Sequence, residues 1–482
     1  MDQRLLLQRG WVAACRDRGT AREPRRRCRR CAVRRELLVS ATPFGLRAAL
    51  IEAGRASELH IESALRPSRA GDIVLGRVGR VVPSQGSAFV ELPEREEGWL
   101  ETSRRLTPGE TLLVQVLSDA RGRKGPRLSA SPALAGARLV YRPSAKDHAV
   151  SRRISDEAER ARLGRFLSTL SGSDGAFTAR SAAATAVESA LHAEAELLCA
   201  QWRTVTKAAE TASAPCRVLE AGGLLGRLLR DHGVDRARID CDDSATTARL
   251  AKLSSTLGIS DDVVITSVDD ADLLERHDAV GLFEAALRSR VEFAGGRLTI
   301  EETEALVAID IDLFGAAPAE ASLRALETAA REIRLRNLAG LIVIDLPRLK
   351  GRALAARQRA TMEAAFAGDH AQFEFFGQSA AGLFELNRQR RGESVRDAFT
   401  AADGLDGARV PRLDALAFDL AHRARRAVRH GRRRLLIRAA PALVALLAPG
   451  PLLPRGLDGW LGAAVTLRPE PERRPAAFEI EA

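Results

Sequence analysis

Two apolar segments of the chain end on aspartates whose spacing could bind a metal ion. The segments are Glu304–Asp312 (EALVAIDID) and Gly340–Asp345 (GLIVID), both rich in β-branched residues that favour strands. Side chains alternate between the faces of a strand, so Asp310 and Asp312 share a face, and Asp345 closes the second run in the same way. If the strands are neighbours, three carboxylates converge at one edge of a sheet and offer oxygen ligands to Mg²⁺. The alternative is that each aspartate only marks the turn after a strand.

A helix between the two segments would set their relative direction. Residues 319–338 carry apolar side chains at helical spacing, namely Leu323, Leu326, Ala330, Ile333 and Leu335. A strand, a helix and a strand of these lengths predict a βαβ unit with parallel strands. The carboxylates then lie at the C-terminal strand ends, where α/β proteins build their sites. A helix over 353–367 and a strand over 372–376 are predicted to follow.

The rest of the chain is predicted to contain several domains. Its 482 residues, 45% of them hydrophobic, are enough for more than one core. Between Gly71 and Ser131, short β segments separated by turns indicate a small barrel such as an OB-fold. Residues 413–482 are expected to form a small α+β appendage. The other predicted elements are strands over 36–40, 46–52, 58–62 and 175–180 and helices over 155–170 and 186–208.

The net charge of +11 gives only weak support for nucleic-acid binding. Residues 1–35 hold twelve arginines and three acidic residues, so this segment carries most of the excess positive charge. We expect it to be a disordered basic extension or an overcalled translation start. It lacks the serines of an organelle transit peptide.

The cysteines indicate a reducing compartment and no complete zinc site. Cys28-x-x-Cys31, with Cys15 upstream, has no second cysteine or histidine pair to complete a tetrahedral site. The remaining cysteines are scattered: Cys199, Cys216 and Cys241. The best apolar run, residues 439–453, is short and interrupted by prolines, so no membrane span is expected. We therefore predict a cytoplasmic protein.

A glycine motif, Gly222-Gly223-x-x-Gly226, superficially suggests a dinucleotide-binding loop. Its spacing departs from G-x-G, and no clear apolar strand precedes the acidic residues Asp240-Cys241-Asp242. The interpretation is a loop that leads into a helix.

Several ordered motifs together resemble the RNase E/G family of bacterial endoribonucleases. The strongest match covers residues 295–390, and the resemblance extends from about Arg35 to the C-terminus. The motifs are GGRLTIEETEALVAIDID, REIRLRNLAGLIVID and GLFELNRQR, preceded by AFVELPEREEGWL, GRKGPRLS and VSRRI.

The resemblance implies a multidomain α/β (α+β) fold with named parts. An RNase H-like subdomain would consist of residues 36–69 and 223–286, with an S1 domain (an OB-fold barrel, 70–130) and a 5′-sensor region (131–222) inserted. A DNase I-like catalytic subdomain would cover 287–400 and a small C-terminal domain 401–482.

The resemblance also assigns the catalytic residues. The family's Mg²⁺ ligands fall on Asp310 and Asp345, and Asp312 stands where the family usually has an asparagine that positions the phosphate. A third carboxylate there could tighten metal binding or repel the phosphate. Pro347-Arg348 stands where the family often has a second aspartate.

RNA-contacting residues follow from the same resemblance. Phe89 and Trp99 match exposed aromatic positions of the S1 domain and Lys124 matches a basic contact; for Phe89 a core position is an equal alternative. Arg180 and Ser181 fall in the 5′-sensor pocket, which binds a 5′-monophosphate. Without the resemblance, a surface salt bridge would be the simpler reading of Arg180.

The implied activity is Mg²⁺-dependent cleavage of single-stranded RNA that leaves a 5′-phosphate and a 3′-hydroxyl, in RNA processing and decay. The alternatives are a catalytically decayed S1-domain RNA-binding protein and, more remotely, a Mg²⁺-dependent DNase. The resemblance also bears on zinc, because some members of the family carry a CxxC motif after the catalytic domain that links two protomers through Zn²⁺. In this chain the segment after Arg391, GESVRDAFTAADG, has no cysteine. A homo-oligomer, if formed, is not expected to be zinc-linked, and Mg²⁺ rather than Zn²⁺ is the expected cofactor.

Overall fold

The computed structural model describes residues 35–122, 124–170, 175–234, 237–269, 272–315, 317–347, 352–402, 409–474 and 476–481. Apart from Arg35, the predicted basic extension lies outside these residues. The described chain is mixed α/β, as the sequence predicts. Within these ranges, every helix is too short or too polar to cross a lipid bilayer.

The first three strands confirm the predicted ones, and they pair as an antiparallel meander. They are β1 (Glu36–Thr42), β2 (Gly45–Glu52) and β3 (Arg55–Ser63). The turn between β1 and β2 requires glycine at position 45, where φ is +142° and an added Cβ would lie 2.1 Å from the carbonyl oxygen of Glu62. Gly45 therefore allows β2 and β3 to pair along their whole length.

The next strands close into a five-stranded barrel, which confirms the predicted small barrel. They are β4 (Ile73–Val82), β5 (Ser87–Glu91), β6 (Glu97–Glu101), β7 (Thr111–Ser118) and β8 (Arg127–Ser129). The hydrogen-bonded order is β4-β5-β6-β8-β7, and β7 pairs with β4 to close the barrel. Ala88, Val90 and Leu100 are buried in its core, so the residues between them face outward.

A small sheet and two helices follow the barrel. The elements are β9 (Leu134–Ala135), β10 (Leu139–Arg142), β11 (Ala149–Val150), α1 (Glu157–Thr169), β12 (Ala176–Ala179) and α2 (Glu188–Thr211). The sheet order is β11-β12-β10-β9, and both helices contribute to its apolar core. Both helices and β12 confirm predicted elements. Strand β13 (Cys216–Leu219) then pairs with β4 of the barrel.

The chain next returns to the first sheet. The elements are α3 (Gly223–His232), β14 (Ala237–Cys241), α4 (Ser244–Thr256), β15 (Val263–Ser267), α5 (Leu273–Arg276) and α6 (Ala279–Ala286). Strands β1, β14 and β15 are parallel neighbours, and the sheet order is β15-β14-β1-β2-β3.

The expectation that no strand precedes Asp240–Asp242 is wrong. Ala237 and Ile239 are buried while the Arg238 side chain between them is 58% exposed, so β14 is a short strand whose apolar character the exposed arginine interrupts. The glycine motif nevertheless leads from a loop into α3, as predicted. Strands β13 and β14 belong to different sheets, so the motif is not part of a single βαβ unit.

The third large element is a mixed sheet covered on one face by two helices. It consists of β16 (Arg290–Phe293), β17 (Gly296–Glu302), β18 (Val307–Leu313), α7 (Pro318–Leu335), β19 (Gly340–Asp345), α8 (Arg352–Ala365), β20 (Phe373–Gln378) and β21 (Phe384–Arg388). The strand order is β16-β17-β18-β19-β21-β20. Strands β18 and β19 are parallel and α7 connects them, which confirms the predicted βαβ unit. The apolar residues predicted for α7 are all buried. Leu326, Ala330 and Ile333 belong to the core of this sheet, whereas Leu335 packs in the core of the first sheet.

The C-terminal part is a small α+β unit, as predicted. Its elements are α9 (Val395–Phe399), β22 (Thr400–Ala402), β23 (Arg409–Pro411), α10 (Leu413–Arg429), β24 (Arg434–Ala439), α11 (Pro441–Leu447), α12 (Gly456–Leu461), β25 (Ala464–Pro469) and β26 (Phe478–Glu481). Strands β22 and β23 form a two-stranded sheet with each other, and the last sheet has the order β25-β24-β26. The subdomain names and boundaries stay predictions.

Candidate metal centre and nucleic-acid interface

The face of the β16–β21 sheet opposite α7 and α8 carries the predicted carboxylates. Apolar residues of β17, β18 and β19 point towards the helices, and the residues between them point the other way. The register aligns Thr299 with Asp310 and Asp310 with Asp345. We call these three residues and their surroundings the open carboxylate face.

Asp310 and Asp345 are exposed and adjacent. They are direct register partners on neighbouring parallel strands, which lie about 4.8 Å apart. Within the described residues, neither carboxylate accepts a hydrogen bond or forms an ion pair. Two exposed carboxylates without other partners are suitable oxygen donors for Mg²⁺, which is bound through one or two carboxylates and keeps several waters. The donor set therefore fits the ion that the sequence implies.

Asp312 has a different environment. Its Oδ2 accepts a hydrogen bond of 2.6 Å from Nη2 of Arg297, its register partner on β17. This ion pair raises the pKa of Arg297 above its ordinary value. Among the described residues, the three aspartates do not form a group whose ligand atoms all lie within 4.8 Å. The structure thus brings Asp310 and Asp345 together and pairs Asp312 with an arginine.

Residues just beyond the two strand ends complete this part of the surface. Phe314 is 51% exposed, and the Arg297 guanidinium lies 6.0 Å from its ring centroid. At the end of β19, Arg348, one of the two residues at which the sequence analysis found a departure, lies outside the described residues.

The barrel presents the predicted aromatic pair on its outer face. Phe89 and Trp99 are register partners on β5 and β6, and their ring centroids lie 5.0 Å apart in an edge-to-face arrangement. Both are half-buried, and the Arg80 guanidinium lies 4.6 Å from the Phe89 ring. The alternative that Phe89 is a core residue of the barrel is therefore wrong. An aromatic pair beside an arginine is a suitable surface for stacking bases.

Lys124 is exposed and lies in the loop before β8. Strand β8 pairs with β6, the strand that carries Trp99. The same loop contacts the C-terminal half of the chain, because Nη2 of Arg121 lies 3.1 Å from Oδ2 of Asp397 at α9. The loop thus connects the barrel surface with the region after the β16–β21 sheet.

Arg180 is held by several acceptors. Its Nη1 donates to the carbonyl oxygens of Gly136 at 2.6 Å and of Arg230 at 3.0 Å, and its Nη2 donates to Asp231 at 2.7 Å. Arg391 also pairs with Asp231, at 2.8 Å. We call Arg180, Asp231 and Arg391 the Arg180 node.

The charges in the Arg180 node are strongly coupled. Burial acts to raise the pKa of Asp231, but Arg391 and Arg180 outweigh it and hold that pKa far below its ordinary value. Burial lowers the pKa of the neighbouring Arg230 to about 10. Ser181, beside Arg180, is exposed. Contacts with the protein thus fix Arg180 in place, and Ser181 is exposed next to it.

A third group of polar side chains was not predicted from the sequence. Glu58 and His60 on β3 and His232 on α3 form the only set of three described acidic, histidine or cysteine residues whose ligand atoms all lie within 4.8 Å. We call it the histidine cluster. Burial lowers the pKa of the His60 imidazole, and the neighbouring Glu58 carboxylate partly opposes that shift. The regular alternation of Glu58, His60 and Glu62 placed them on one face of a strand, but nothing in the sequence indicated that His232 lies opposite.

The similarity to known proteins extends over most of the chain. A sequence model described as "Ribonuclease E/G family" matches residues 133–391. Ribonuclease G of Escherichia coli (strain K12) is 30% identical over 396 residues, which cover 75% of this chain and 81% of that protein. Ribonuclease G of Haemophilus influenzae is 29% identical over 395 residues, covering 75% and 80%. Ribonuclease E of Nostoc sp. is 30% identical over 363 residues, covering 68% and 52%.

Proposed function

Because this chain belongs to the ribonuclease E/G family, we propose that it is a Mg²⁺-dependent endoribonuclease that cleaves single-stranded RNA and prefers 5′-monophosphorylated ends. The observation that carries the proposal is the pair Asp310 and Asp345, adjacent and exposed on the open carboxylate face. Its products would carry a 5′-phosphate and a 3′-hydroxyl. We place it in the cytoplasm, in RNA processing and decay.

Asp310 and Asp345 would hold the Mg²⁺ ion, and Asp312 would have a separate role. When bound, Mg²⁺ supplies the charge that activates water and stabilises the phosphate in phosphodiester hydrolysis. Arg297 neutralises Asp312, so this carboxylate does not add an uncompensated negative charge beside the substrate phosphate. The departure from asparagine at this position is therefore compatible with catalysis.

The barrel would hold the RNA strand. Bases would stack on Phe89 and Trp99, and each stacked base contributes roughly 1–3 kcal/mol with little dependence on sequence. Arg80 and Lys124 would contact phosphates beside these rings. Positioning a single strand across the barrel supports selection of unpaired RNA.

The 5′-terminal phosphate would bind at Arg180 and Ser181. The Ser181 hydroxyl is exposed and can donate a hydrogen bond to a phosphate oxygen. Arg180 donates to main-chain carbonyls and to Asp231 through Nη1 and Nη2, so it would both shape the pocket and contribute positive charge. A terminal monophosphate would be favoured over a bulkier triphosphate. Any homo-oligomer would form without a zinc link.

A cleavage assay tests this function. The full chain is incubated with a 5′-monophosphorylated, AU-rich single-stranded RNA, and in parallel with DNA of the same sequence, with and without Mg²⁺. We expect cleavage of RNA only in Mg²⁺, loss of cleavage in Asp310→Asn with RNA binding retained, and normal cleavage in Glu301→Gln, which alters an exposed carboxylate on the neighbouring strand β17.

Two results would replace the proposal. Tight RNA binding without cleavage in Mg²⁺ identifies the decayed RNA-binding protein, and preferential cleavage of DNA identifies a DNase. Cleavage by Asp310→Asn at the rate of the parent shows that the metal ligands lie elsewhere.

A further inference from the structure

The histidine cluster has the composition and spacing of a second cation site. Oε2 of Glu58 lies 3.0 Å from Nε2 of His60 and 3.5 Å from Nε2 of His232. All three ligand atoms lie within 4.8 Å of one another. Ligands bound about 2.0–2.2 Å from a tetrahedral Zn²⁺ are separated by roughly 3.3–3.6 Å, so an ion fits here after small shifts.

We propose that Glu58, His60 and His232 bind one Zn²⁺ ion that joins β3 to α3. Two imidazoles with one carboxylate are a typical ligand set for Zn²⁺, whereas Mg²⁺ prefers oxygen ligands. The site therefore differs in chemistry from Asp310 and Asp345, and it lies on another sheet. Three protein ligands leave a fourth position for water.

Burial holds the three side chains in place before an ion arrives. The side chains of Glu58, His60 and His232 are 8%, 9% and 4% exposed. Within the described residues, Nδ1 of His232 is buried and has no hydrogen-bond partner. A buried ring nitrogen without a partner is unfavourable, so hydrogen bonding alone does not explain this ring. Nε2 of the same ring is directed at Glu58, so this is the nitrogen that would bind the ion.

A neighbouring arginine orients the carboxylate towards the ion. Nη2 of Arg334 donates to Oε1 of Glu58 at 3.0 Å, which leaves Oε2 directed at the two imidazoles. Arg334 also donates to Glu52 at 3.1 Å, so its positive charge is shared between two carboxylates. Such supporting contacts fix the geometry of metal ligands. Since Arg334 belongs to α7, the ion would connect β3, α3 and α7.

Zinc binding to the full chain is the test. The background carries Cys15→Ser, Cys28→Ser and Cys31→Ser, which removes the N-terminal thiols as competing ligands. The protein is dialysed against Zn²⁺ in excess Mg²⁺, and bound zinc is measured by elemental analysis. Thermal unfolding is followed with and without Zn²⁺, and Co²⁺ replaces Zn²⁺ for visible spectroscopy.

We expect one Zn²⁺ per chain, an unfolding midpoint raised by about 3 °C at saturation, and the intense visible bands of tetrahedral Co²⁺. His60→Gln and His232→Gln should each weaken binding at least ~100-fold, while Asp310→Asn and the exposed-histidine control His430→Gln should bind as the parent does. The proposal would be wrong if both histidine variants still bound zinc as the parent does. It would also be wrong if the parent gave no tetrahedral Co²⁺ spectrum. The spectrum of the parent decides the question even if a variant does not fold.

Discussion

The open carboxylate face and the buried charges at α3 use the same residue types in opposite ways. Asp310 and Asp345 are exposed and have no protein partner among the described residues. Asp231 and His232, consecutive residues of α3, are buried among arginines, a glutamate and other histidines. Carboxylates that have no internal partner are available to a ligand, whereas a buried carboxylate paired with arginines, such as Asp231, contributes to the fold. Substitutions in the first region should therefore alter activity, and substitutions in the second should alter stability.

The largest expected effect is the loss of activity in Asp345→Asn. Removing one of two metal-binding carboxylates should lower kcat by about a thousandfold, equivalent to ~4 kcal/mol of transition-state stabilisation. Because the side chain is exposed, the free energy of unfolding should change by less than about 0.5 kcal/mol. Single-turnover cleavage and urea unfolding measure the two quantities, with Glu374→Gln on the same sheet as control. If Asp345→Asn lost several kcal/mol of unfolding free energy as well as its activity, the open carboxylate face would not differ from the buried charges at α3 in the way described.

Asp231→Asn tests the opposite region. The change leaves Arg180 and Arg391 without their buried counter-charge and should destabilise the fold by about 3 kcal/mol at pH 7. The pKa of Asp231 is lowered in the folded chain, so its stabilisation is complete above the unfolded value near 3.9 and is lost as the pH falls below it. The stability gap between variant and parent should therefore narrow in acid.

Urea unfolding between pH 7 and pH 3 checks both parts of that expectation. Asp269→Asn is the matched control, because Asp269 pairs with Arg429 but is 92% exposed, and its loss should cost less than about 1 kcal/mol. A similar cost for both variants would mean that burial does not distinguish the two ion pairs.

Acid should also lower the stability of the parent chain, through His370. Burial lowers the pKa of His370 to about 3, below the ordinary value near 6.5, and its ring packs 4.7 Å from that of His232. Between these two pH values the unfolded chain binds more protons than the folded chain, so stability falls as the pH drops from 6.5 towards 3. His370→Gln should flatten this part of the stability profile, as followed by urea midpoints at each pH. An unchanged slope would assign the acid sensitivity to other groups.

The smallest effect should come from Asp312→Asn, which restores the usual family residue. The Arg297–Asp312 pair is half-exposed, so its loss should change the free energy of unfolding little. Cleavage should rise by less than about fivefold, because one negative charge near the phosphate is removed. A thousandfold loss, as for Asp345→Asn, would instead make Asp312 a third metal ligand.

The sequence was most informative where local patterns decide the structure. Alternation along β18 and β19 and helical spacing in α7 predicted a parallel pair with Asp310 beside Asp345, and the register confirms it. Asp312 was different, because its partner Arg297 lies on the preceding antiparallel strand, and no local pattern states which side chains meet across strands. Strand β14 was missed because only two of its first three residues are apolar, Arg238 lies between them and Asp240 follows, which gives a weak strand signal.

The histidine cluster marks the limit of sequence reasoning here. His60 and His232 are separated by the whole barrel and the region after it, and only the tertiary fold brings α3 against β3. Likewise, the partners of Arg180 are mostly main-chain carbonyls, which carry no residue-specific signal.

The order of strands in the first sheet has a consequence for how the chain folds during synthesis. Strand β1 pairs with β14, and the main-chain N–H of Ala41 bonds to Asp242, 201 positions later. The barrel, whose strands are close in sequence, can close while β1 still has an unpaired edge. Such an edge can pair with another chain, so the interval before β14 emerges from the ribosome is the stage at which this protein is most exposed to aggregation.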